Sequence, residues 1–370
     1  FATDVTLTGT VQLSTDSGLG NISLGGVVNE TTGGTDGLTL LAGTGDISVT
    51  GSVGSTELGA LQVTSGNNAS FNGAVTATSF TQLAGGGTTT FSGVETYSGS
   101  FSFDGSVLNI DNGLSAGGST TITNGGLFTK NGTGIITSAA GFAQNGTGTS
   151  SVGADIATAD TDLSFATDVA LTNTVQFSTG ANAGNISLGG AVTTTTGDAL
   201  TLLAGTGNIS VTGAVGTALN RLGSLTVSSA ANAQFSGEVT AADFTQSGGT
   251  GTTTFDGVQD YTSSFAFTGS ALTVNDGLNV GTTTTITNGT LFTKNGTGVI
   301  TSPGGFTQNG TGDSTVGADI TTTNTDLAFA TRVTLTDTVQ FSTDTGAGNI
   351  SVGGGMSGAT AGGESLTLLA

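Results

Sequence analysis

The amino-acid sequence predicts an all-β protein, a parallel β-helix (β-solenoid) with roughly 20–21 residues and three short strands in each turn. Three observations predict this fold class. The composition favours strands over helices, one stretch of text recurs at a long period, and apolar residues recur inside that text at a short period. Together they describe a chain that winds in short, similar coils instead of forming separate globular lobes.

The composition is poor in helix formers and rich in residues that favour strands. The chain has 66 Gly, one Pro, no Cys and no His, and only 8% of its residues are charged. Thr, Val, Ile and Phe are plentiful and favour β-structure, whereas the helix formers Glu, Lys, Gln and Arg are scarce. Apolar residues make up 35% of the chain and recur at patterned positions, so a disordered chain is not predicted.

The long period is marked by three copies of one phrase. The opening FATDVTLTGTVQLST returns as FATDVALTNTVQFST at Phe165 and as FATRVTLTDTVQFST at Phe329. We therefore predict a first solenoid repeat at 1–164, a second at 165–328 and the start of a third at 329–370, joined as one continuous rod. Because the third copy stops in mid-phrase, we expect a segment of a longer array.

The short period is about 20.5 residues, so that eight steps would fill one repeat. Apolar strand openings recur at that interval, give or take two or three positions, at Leu38, Leu61, Phe80, Phe101, Thr121, Phe142 and Leu163. Within a step, apolar and polar residues alternate, as in VTLTGTVQLST from Val5, which predicts strands with one buried face. The stretches NG, GG, GTG and DNG separate the strands and predict corners.

Stacked coils should place like residues above one another, because parallel in-register strands favour ladders of identical side chains. The expected ladder pairs, whose members lie one predicted turn apart, are Asn124 with Asn145, Ile135 with Ile156, and Phe80 with Phe101.

A membrane β-barrel is the alternative architecture, since it shares the alternation and the turns. It would carry girdles of Trp and Tyr, but the chain has no Trp and only Tyr97 and Tyr261. Near-identical duplication of so long a segment favours the solenoid.

The charge excludes several classes of partner. The formal net charge is −21, and the four cations are Lys130, Arg221, Lys294 and Arg332. Four scattered cations provide no track for phosphates, so nucleic acid is not predicted as a partner. No apolar run approaches the roughly 18 residues that a membrane-spanning helix needs, so no such helix is predicted. Without Cys, disulfides are excluded.

The two full repeats permit an internal comparison that argues against catalysis. Apolar and Gly positions are kept, whereas charged positions drift: Glu57 aligns with Arg221, and Glu95 aligns with Gln259. We expect the side chains that reverse sign between copies, as Glu57 and Arg221 do, on a solvated face. With no His and no paired carboxylates, we predict no enzyme, no catalytic residue and no cofactor.

Lys130 and Lys294, both in LFTKNGTG, are the only cations kept between the repeats. Either they meet a carboxylate of a sugar or of a neighbouring chain, or they are corner residues with the amine in water and the stem over the next coil. We favour the corner interpretation.

Calcium is the next candidate ligand. Asp160 and Asp162 in ATADTDLS match Asn324 and Asp326 in TTNTDLA, and residues two apart in a strand share a face. Neither the nonapeptide calcium repeat nor an EF-hand loop is present. We favour a solvated pair and predict no metal site.

Glycan attachment stays open. The tripeptide Asn-X-Ser/Thr accepts glycans in suitable hosts. It occurs at Asn21, Asn29, Asn68, Asn131, Asn145, Asn185, Asn208, Asn288, Asn295, Asn309 and Asn349.

The runs LTLLAGTGDISVTGSVG and LGALQVTSGNNASFNGAVTATSF resemble the large secreted β-solenoid proteins of bacteria, of the filamentous-haemagglutinin and autotransporter-adhesin type. The likeness covers the whole chain but assigns no role to individual positions. It implies a right-handed, three-sided β-helix, export across an outer membrane, and a role in surface attachment or filament building.

We therefore expect an extracellular or cell-surface structural protein, a segment of a long filament, fibre or stalk. The bare end of a β-helix exposes an unpaired strand edge, so we expect end-to-end self-association or continuation in a longer chain. The alternative function is an adhesin that binds glycans or host surfaces through its outer faces.

Overall fold

The computed structural model describes residues 1–370 and contains 47 β-strands and no helix, hence no helical segment that could span a membrane. The chain forms two compact units, Phe1–Gly180 (unit 1) and Ala181–Ala370 (unit 2). Each unit is a parallel β-solenoid, and about 17 turns are present in all. The predicted all-β, parallel solenoid fold class is confirmed.

The strands of unit 1 are β1 (Val5–Leu7), β2 (Val11–Ser14), β3 (Ile22–Leu24), β4 (Val28–Glu30), β5 (Leu38–Leu41), β6 (Ile47–Val49), β7 (Val53–Ser65), β8 (Ala69–Phe71), β9 (Val75–Gln82), β10 (Thr88–Phe91), β11 (Glu95–Tyr97), β12 (Phe101–Gly105), β13 (Val107–Ile110), β14 (Leu114–Ala116), β15 (Thr120–Asn124), β16 (Phe128–Lys130), β17 (Ile136–Ser138), β18 (Phe142–Gln144), β19 (Ser150–Val152), β20 (Ile156–Thr158), β21 (Leu163–Phe165), β22 (Val169–Leu171) and β23 (Val175–Ser178).

The strands of unit 2 are β24 (Ile186–Leu188), β25 (Val192–Thr194), β26 (Leu200–Leu203), β27 (Ile209–Val211), β28 (Leu222–Ser229), β29 (Ala233–Phe235), β30 (Val239–Gln246), β31 (Thr252–Phe255), β32 (Gln259–Tyr261), β33 (Phe265–Gly269), β34 (Ala271–Val274), β35 (Leu278–Val280), β36 (Thr284–Asn288), β37 (Leu291–Lys294), β38 (Ile300–Thr301), β39 (Phe306–Gln308), β40 (Asp313–Val316), β41 (Ile320–Thr321), β42 (Leu327–Phe329), β43 (Val333–Leu335), β44 (Val339–Ser342), β45 (Ile350–Val352), β46 (Met356–Gly358) and β47 (Leu366–Leu369).

Parallel pairing arranges the strands of unit 1 in three faces, which we number in chain order. Face 1 is the stack that begins with β1 and β4, face 2 the stack that begins with β2 and β5, and face 3 the stack that begins with β3 and β6. The long strand β9 turns a corner, so that Val75–Ala77 pairs on face 1 and Phe80–Gln82 pairs on face 2. Every turn therefore hydrogen-bonds to the turns before and after it, as a parallel ladder requires.

The long sequence repeat does not correspond to a whole number of turns. In unit 1, Val5 lies in β1, the first strand of the first turn on face 1, whereas its sequence equivalent Val169 lies in β22 on face 3. The face-3 stack runs β3, β6, β8, β10, β13, β16, β19, β22, which places β22 in the eighth turn. The two copies are therefore seven turns and two further faces apart, whereas the sequence predicted eight whole turns.

Unit 2 shows the same offset independently. Its face 1 begins with β24 and β27, its face 2 runs from Val192 through Val215 to Val239, and its face 3 begins with β26 and β28. Ile186 lies on face 1, whereas Ile350, its equivalent in the next copy of the repeat, lies on face 3. Each repeat thus advances by about seven and two-thirds turns, so that a turn is slightly longer than the sequence predicted.

Alternation places the apolar residues inside. Phe80 and Phe101 pair in register on face 2, and their rings stack with centroids 5.0 Å apart, as the sequence predicted. Phe71 and Phe91 stack at 4.9 Å on face 3, and all four rings are buried. Stacked aromatic pairs contribute about 1 kcal/mol each beyond the burial of their surface, so these rings stabilise the contact between successive turns.

Two of the three predicted ladder pairs are wrong. Ile156 pairs with Ile136, the first residue of β17. Ile135 lies at the corner before β17 and is 44% exposed. Asn124 is buried whereas Asn145 is exposed, and the residue that contacts Asn124 from the next turn is Gln144. Turn length varies along the chain, so a step of fixed length slips by one residue at some corners.

A ladder of Asn and Asp side chains does exist, at the corner that precedes face 3. Asn21 accepts the N–H of Asp46 at 2.8 Å, and Asp46 accepts the N–H of Asn68 at 3.0 Å. Asn68 in turn accepts the N–H of Thr88 at 2.9 Å. Unit 2 repeats the arrangement with Asn185, Asn208, Asn232 and Thr252. Each side chain satisfies a backbone donor that the corner leaves without a strand partner.

Candidate functional sites

A buried polar network joins successive turns on face 2 of unit 1. Gln144 donates from Nε2 to Asn124 Oδ1 at 2.6 Å and to the carbonyls of Gly146 and Gly148 at 3.2 and 3.1 Å. Its Oε1 accepts the N–H of Ala166 at 3.2 Å. Unit 2 builds the same network from Asn288, Gln308, Gly310, Gly312 and Ala330. The network accounts structurally for the repeated QNGTG text.

Lys130 and Lys294 do not have their amines in water, so the corner interpretation is wrong. Both side chains are 0% exposed, and Lys130 stacks in register between Ile110 and Val152 inside face 3. The Nζ of each lysine donates to the carbonyl of the following Asn. Burial lowers the pKa of each amine to about 8, and nearby carboxylates, Asp111 and Asp276 respectively, oppose the shift.

The alternation of FTK contained the signal for this placement. Phe128 faces inward in β16, so the residue two positions later also faces inward. The alternation thus predicts an inward side chain at Lys130, whereas the charge of the amine favours a corner.

Glu95 is a further ionisable residue that lies inside the solenoid. It is 0% exposed, lies in register between Val75 and Leu114, and neither carboxyl oxygen has a hydrogen-bond partner. Its counterpart Gln259 is equally buried. The position drifts between an acid and an amide inside the core.

The two arginines do lie at the surface, and each is paired. Arg221 donates to Asp260 at 2.8 Å, and Arg332 donates to Asp313 at 3.1 Å. In the first repeat, Thr96 and Thr149 stand at the positions that Asp260 and Asp313 occupy in the second. Each arginine is therefore accompanied by an acid that the first repeat lacks, so these surface charges change in pairs.

The proposed calcium pair lies at a corner and not in a strand. Asp160 and Asp162 fall between β20 and β21, and Asp160 has a positive φ of 58°. The matching Asp326 accepts the N–H and the side-chain amide of Asn349, and these hydrogen bonds lower the pKa of its carboxyl. The structure brings no group of three or more acidic side chains into metal-binding geometry.

A shallow groove lies at equivalent positions of the repeat in both units. In unit 1 it runs along the start of the face-2 strands, beside the corner residues that precede them. It has a volume of about 550 Å³ in unit 1 and about 460 Å³ in unit 2. Equivalent lining residues include Thr121 and Thr285, and Asp162 and Asp326. Sequence reasoning missed this groove, because its wall depends on the extra corner residues Ala140 and Gly141. It offers hydroxyls and one carboxylate, and Phe142, the aromatic residue along it in unit 1, is buried.

The structure separates the eleven sequons by access. Asn288 is buried, and its amide donates to the carbonyl of Asp313 at 3.2 Å. Asn131 and Asn295 are exposed, but their amides donate to Asp111 and Asn275, respectively, in the preceding turn. Asn145 and Asn309 are exposed at equivalent positions.

No family model, no curated protein and no solved structure matches the chain.

Proposed function

We propose that this chain is a structural, extracellular β-solenoid, a segment of a cell-surface filament or stalk, whose length is its function. The observation that carries the proposal is the stacking of near-identical coils, each of which completes the backbone hydrogen bonding of its neighbours. Lengthening such a protein requires only more copies of the repeat. The acidic surface supports the same interpretation, since net charge keeps long β-surfaces soluble.

Self-association is part of the proposal. Wherever no further turn covers a β-helix, the last turn presents unpaired strand edges that can pair with another chain. We expect end-to-end stacking or covalent continuation. Electron micrographs of the purified chain over serial dilution test this: particle length that falls with dilution indicates stacking, and constant length contradicts it.

An adhesin is the second candidate function, and the paired grooves favour it. A hydroxyl-lined groove at the same place in both units suits a neutral, hydroxyl-rich glycan. Thr121→Trp with Thr285→Trp fills both grooves, and Thr129→Trp on the outside of face 3 is the matched control. Glycan-array binding that is lost only in the groove double variant supports the adhesin, and an array without hits for the unmodified chain contradicts it.

A further inference from the structure

Glu95 is the most enclosed acid of the molecule. It faces the interior of face 1 in β11, with Val75 and Leu114 directly above and below it. Two residues later, Tyr97 also faces inward, is 2% exposed and has no hydrogen-bond partner for its hydroxyl. The ring of Tyr97 packs against Phe80 and Phe101, so the acid lies beside an aromatic core.

No cation compensates Glu95. The paired strands β9 and β14 carry no ionisable side chain, and neither do β8 and β10. On the remaining nearby strands, Asp104 in β12 is exposed and Glu57 in β7 is partly exposed. Lys130, the one cation of unit 1, lies in β16, which pairs with β13 and β19. A lone carboxylate in such surroundings takes up a proton to avoid the cost of desolvation.

Unit 2 shows what a neutral group does at this position. Gln259 lies between Val239 and Leu278, and its Nε2 donates to the carbonyl of Gly257 at 2.8 Å. The hydroxyl of Tyr261 donates to Gln259 Oε1 at 2.8 Å. A protonated carboxyl offers one donor and one acceptor in nearly the same shape as this amide.

We propose that Glu95 is held as a neutral carboxylic acid, so that unit 1, but not unit 2, takes up a proton on folding and is more stable in mild acid than at neutral pH. This pH dependence of stability does not rest on the proposed filament or adhesin role.

The direction of the effect follows from the pKa. Burial raises the pKa of Glu95 from 4.5 to about 9. Protonated Glu95 therefore contributes its whole stabilising effect below the unfolded pKa of 4.5. This contribution falls as the pH rises from 4.5 to about 9, and above pH 9 no more of it is lost. The shifted lysines act above pH 8, and Asp46 and Asp326, with lowered pKa values, act in strong acid. Between pH 5 and pH 8, Glu95 is thus the one shifted group that changes stability.

Tyrosine fluorescence can read each unit separately, because Tyr97 and Tyr261 are the only tyrosines and the chain has no Trp. In a Tyr261→Phe background, Tyr97 reports urea unfolding of unit 1. We expect the folding equilibrium constant to fall about tenfold per pH unit between pH 5 and pH 8, since one proton is released on unfolding. Glu95→Gln should remove this dependence, and infrared spectra should lose one carboxylic-acid carbonyl band.

The reverse change supplies the matched control. Gln259→Glu in a Tyr97→Phe background should give unit 2 the pH dependence that it lacks. The same pH dependence in the unmodified protein and in Glu95→Gln, or no carboxylic-acid band in the unmodified protein at neutral pH, would overturn the proposal. The infrared measurement on the unmodified protein needs no variant to fold, so it decides even where a substitution prevents folding.

Discussion

Small hydroxyl side chains stand at several inward positions of the core. Thr120 lies in register between Phe101 and Phe142, and Ser150 is the strand partner of Phe128 in the next turn. The hydroxyls of both residues are buried without a partner, as are those of their equivalents Thr284 and Ser314. A small side chain leaves room for the bulky Phe128 and Phe142, whose rings lie 6.3 Å apart. The hydroxyl itself contributes no hydrogen bond that would offset its desolvation.

Thr120→Val should stabilise unit 1 by about 1 kcal/mol. Valine has the same shape, and the change removes a buried oxygen that has no hydrogen-bond partner. Urea unfolding, followed through Tyr97, measures the effect. The adjacent Thr121→Val, on the outer face, is the control and should change stability by only a few tenths of a kcal/mol. A loss of stability in Thr120→Val would show that the hydroxyl is satisfied after all.

Lys130→Met should stabilise the protein at pH 7, by on the order of 2 kcal/mol, because it removes the cost of a charged amine in the core. The pH dependence identifies the cause. The folded pKa of about 8 lies below the ordinary value of 10.5, so the stability contributed by each neutral amine is present above 10.5 and is lost as the pH falls to 8.

Stability of the unmodified protein should therefore rise between pH 8 and pH 10.5 from the lysine contribution. In this window Lys130→Met should show about half of that rise, since Lys294 is unchanged, and the double variant with Lys294→Met should show none. Equal slopes in the unmodified protein and the double variant, from urea midpoints, would mean that the amines are solvated.

At the scale of the element, the strands and corners of the solenoid hold together through side chains that reach from one turn to the next. Gln144 shows this best, because it binds the preceding turn through Asn124 and the following turn through Ala166. Such a network fixes the register of short strands, whose own hydrogen bonds are few.

Gln144→Leu should cost on the order of 3 kcal/mol, since it leaves Asn124 Oδ1 and the Gly146 carbonyl without their donor. The Gly148 carbonyl keeps a hydrogen bond from the Thr167 hydroxyl at 2.6 Å. Hydrogen exchange of the Ala166 amide should accelerate only slightly, because this N–H also donates to the backbone carbonyl of Gln144 at 3.0 Å. Asn145→Ala, at the exposed neighbouring position, is the control and should leave both quantities nearly unchanged. A double-mutant cycle between Asn124 and Gln144 that shows no coupling would contradict the role of the network.

Alternation and corner residues predicted the solenoid, because a period of two and Gly-rich breaks follow directly from backbone geometry. Phe80 and Phe101 were placed correctly for this reason. The polar interior was not predicted: FTK and ETY alternate like other strands, but Lys130 and Glu95 stand where an apolar residue was expected. Turn lengths were not predicted either, since one extra corner residue moves Ile136 and not Ile135 into the ladder with Ile156.

At the scale of the whole molecule, the fractional number of turns per repeat has a consequence for any tandem array. Within unit 1, Val5 lies on face 1 and its copy Val169 lies on face 3. Within unit 2, Ile186 and its copy Ile350 are displaced in the same sense. An array that continues this pairing presents equivalent residues on successive faces, and only every third repeat returns to the same face.

Three repeats of about seven and two-thirds turns make about 23 turns, which at roughly 4.8 Å per turn gives an axial period of about 110 Å. A single repeat advances the array by about 37 Å on the same spacing. We therefore expect images of a filament built from this repeat to show a true axial repeat of about 110 Å, with subunits of about 37 Å related by a rotation of one face. Cryo-electron microscopy of a chain extended to six repeats measures both lengths. A true repeat of about 37 Å without rotation would mean that the turns per repeat are a whole number, and the register seen within each unit would then not propagate along the array.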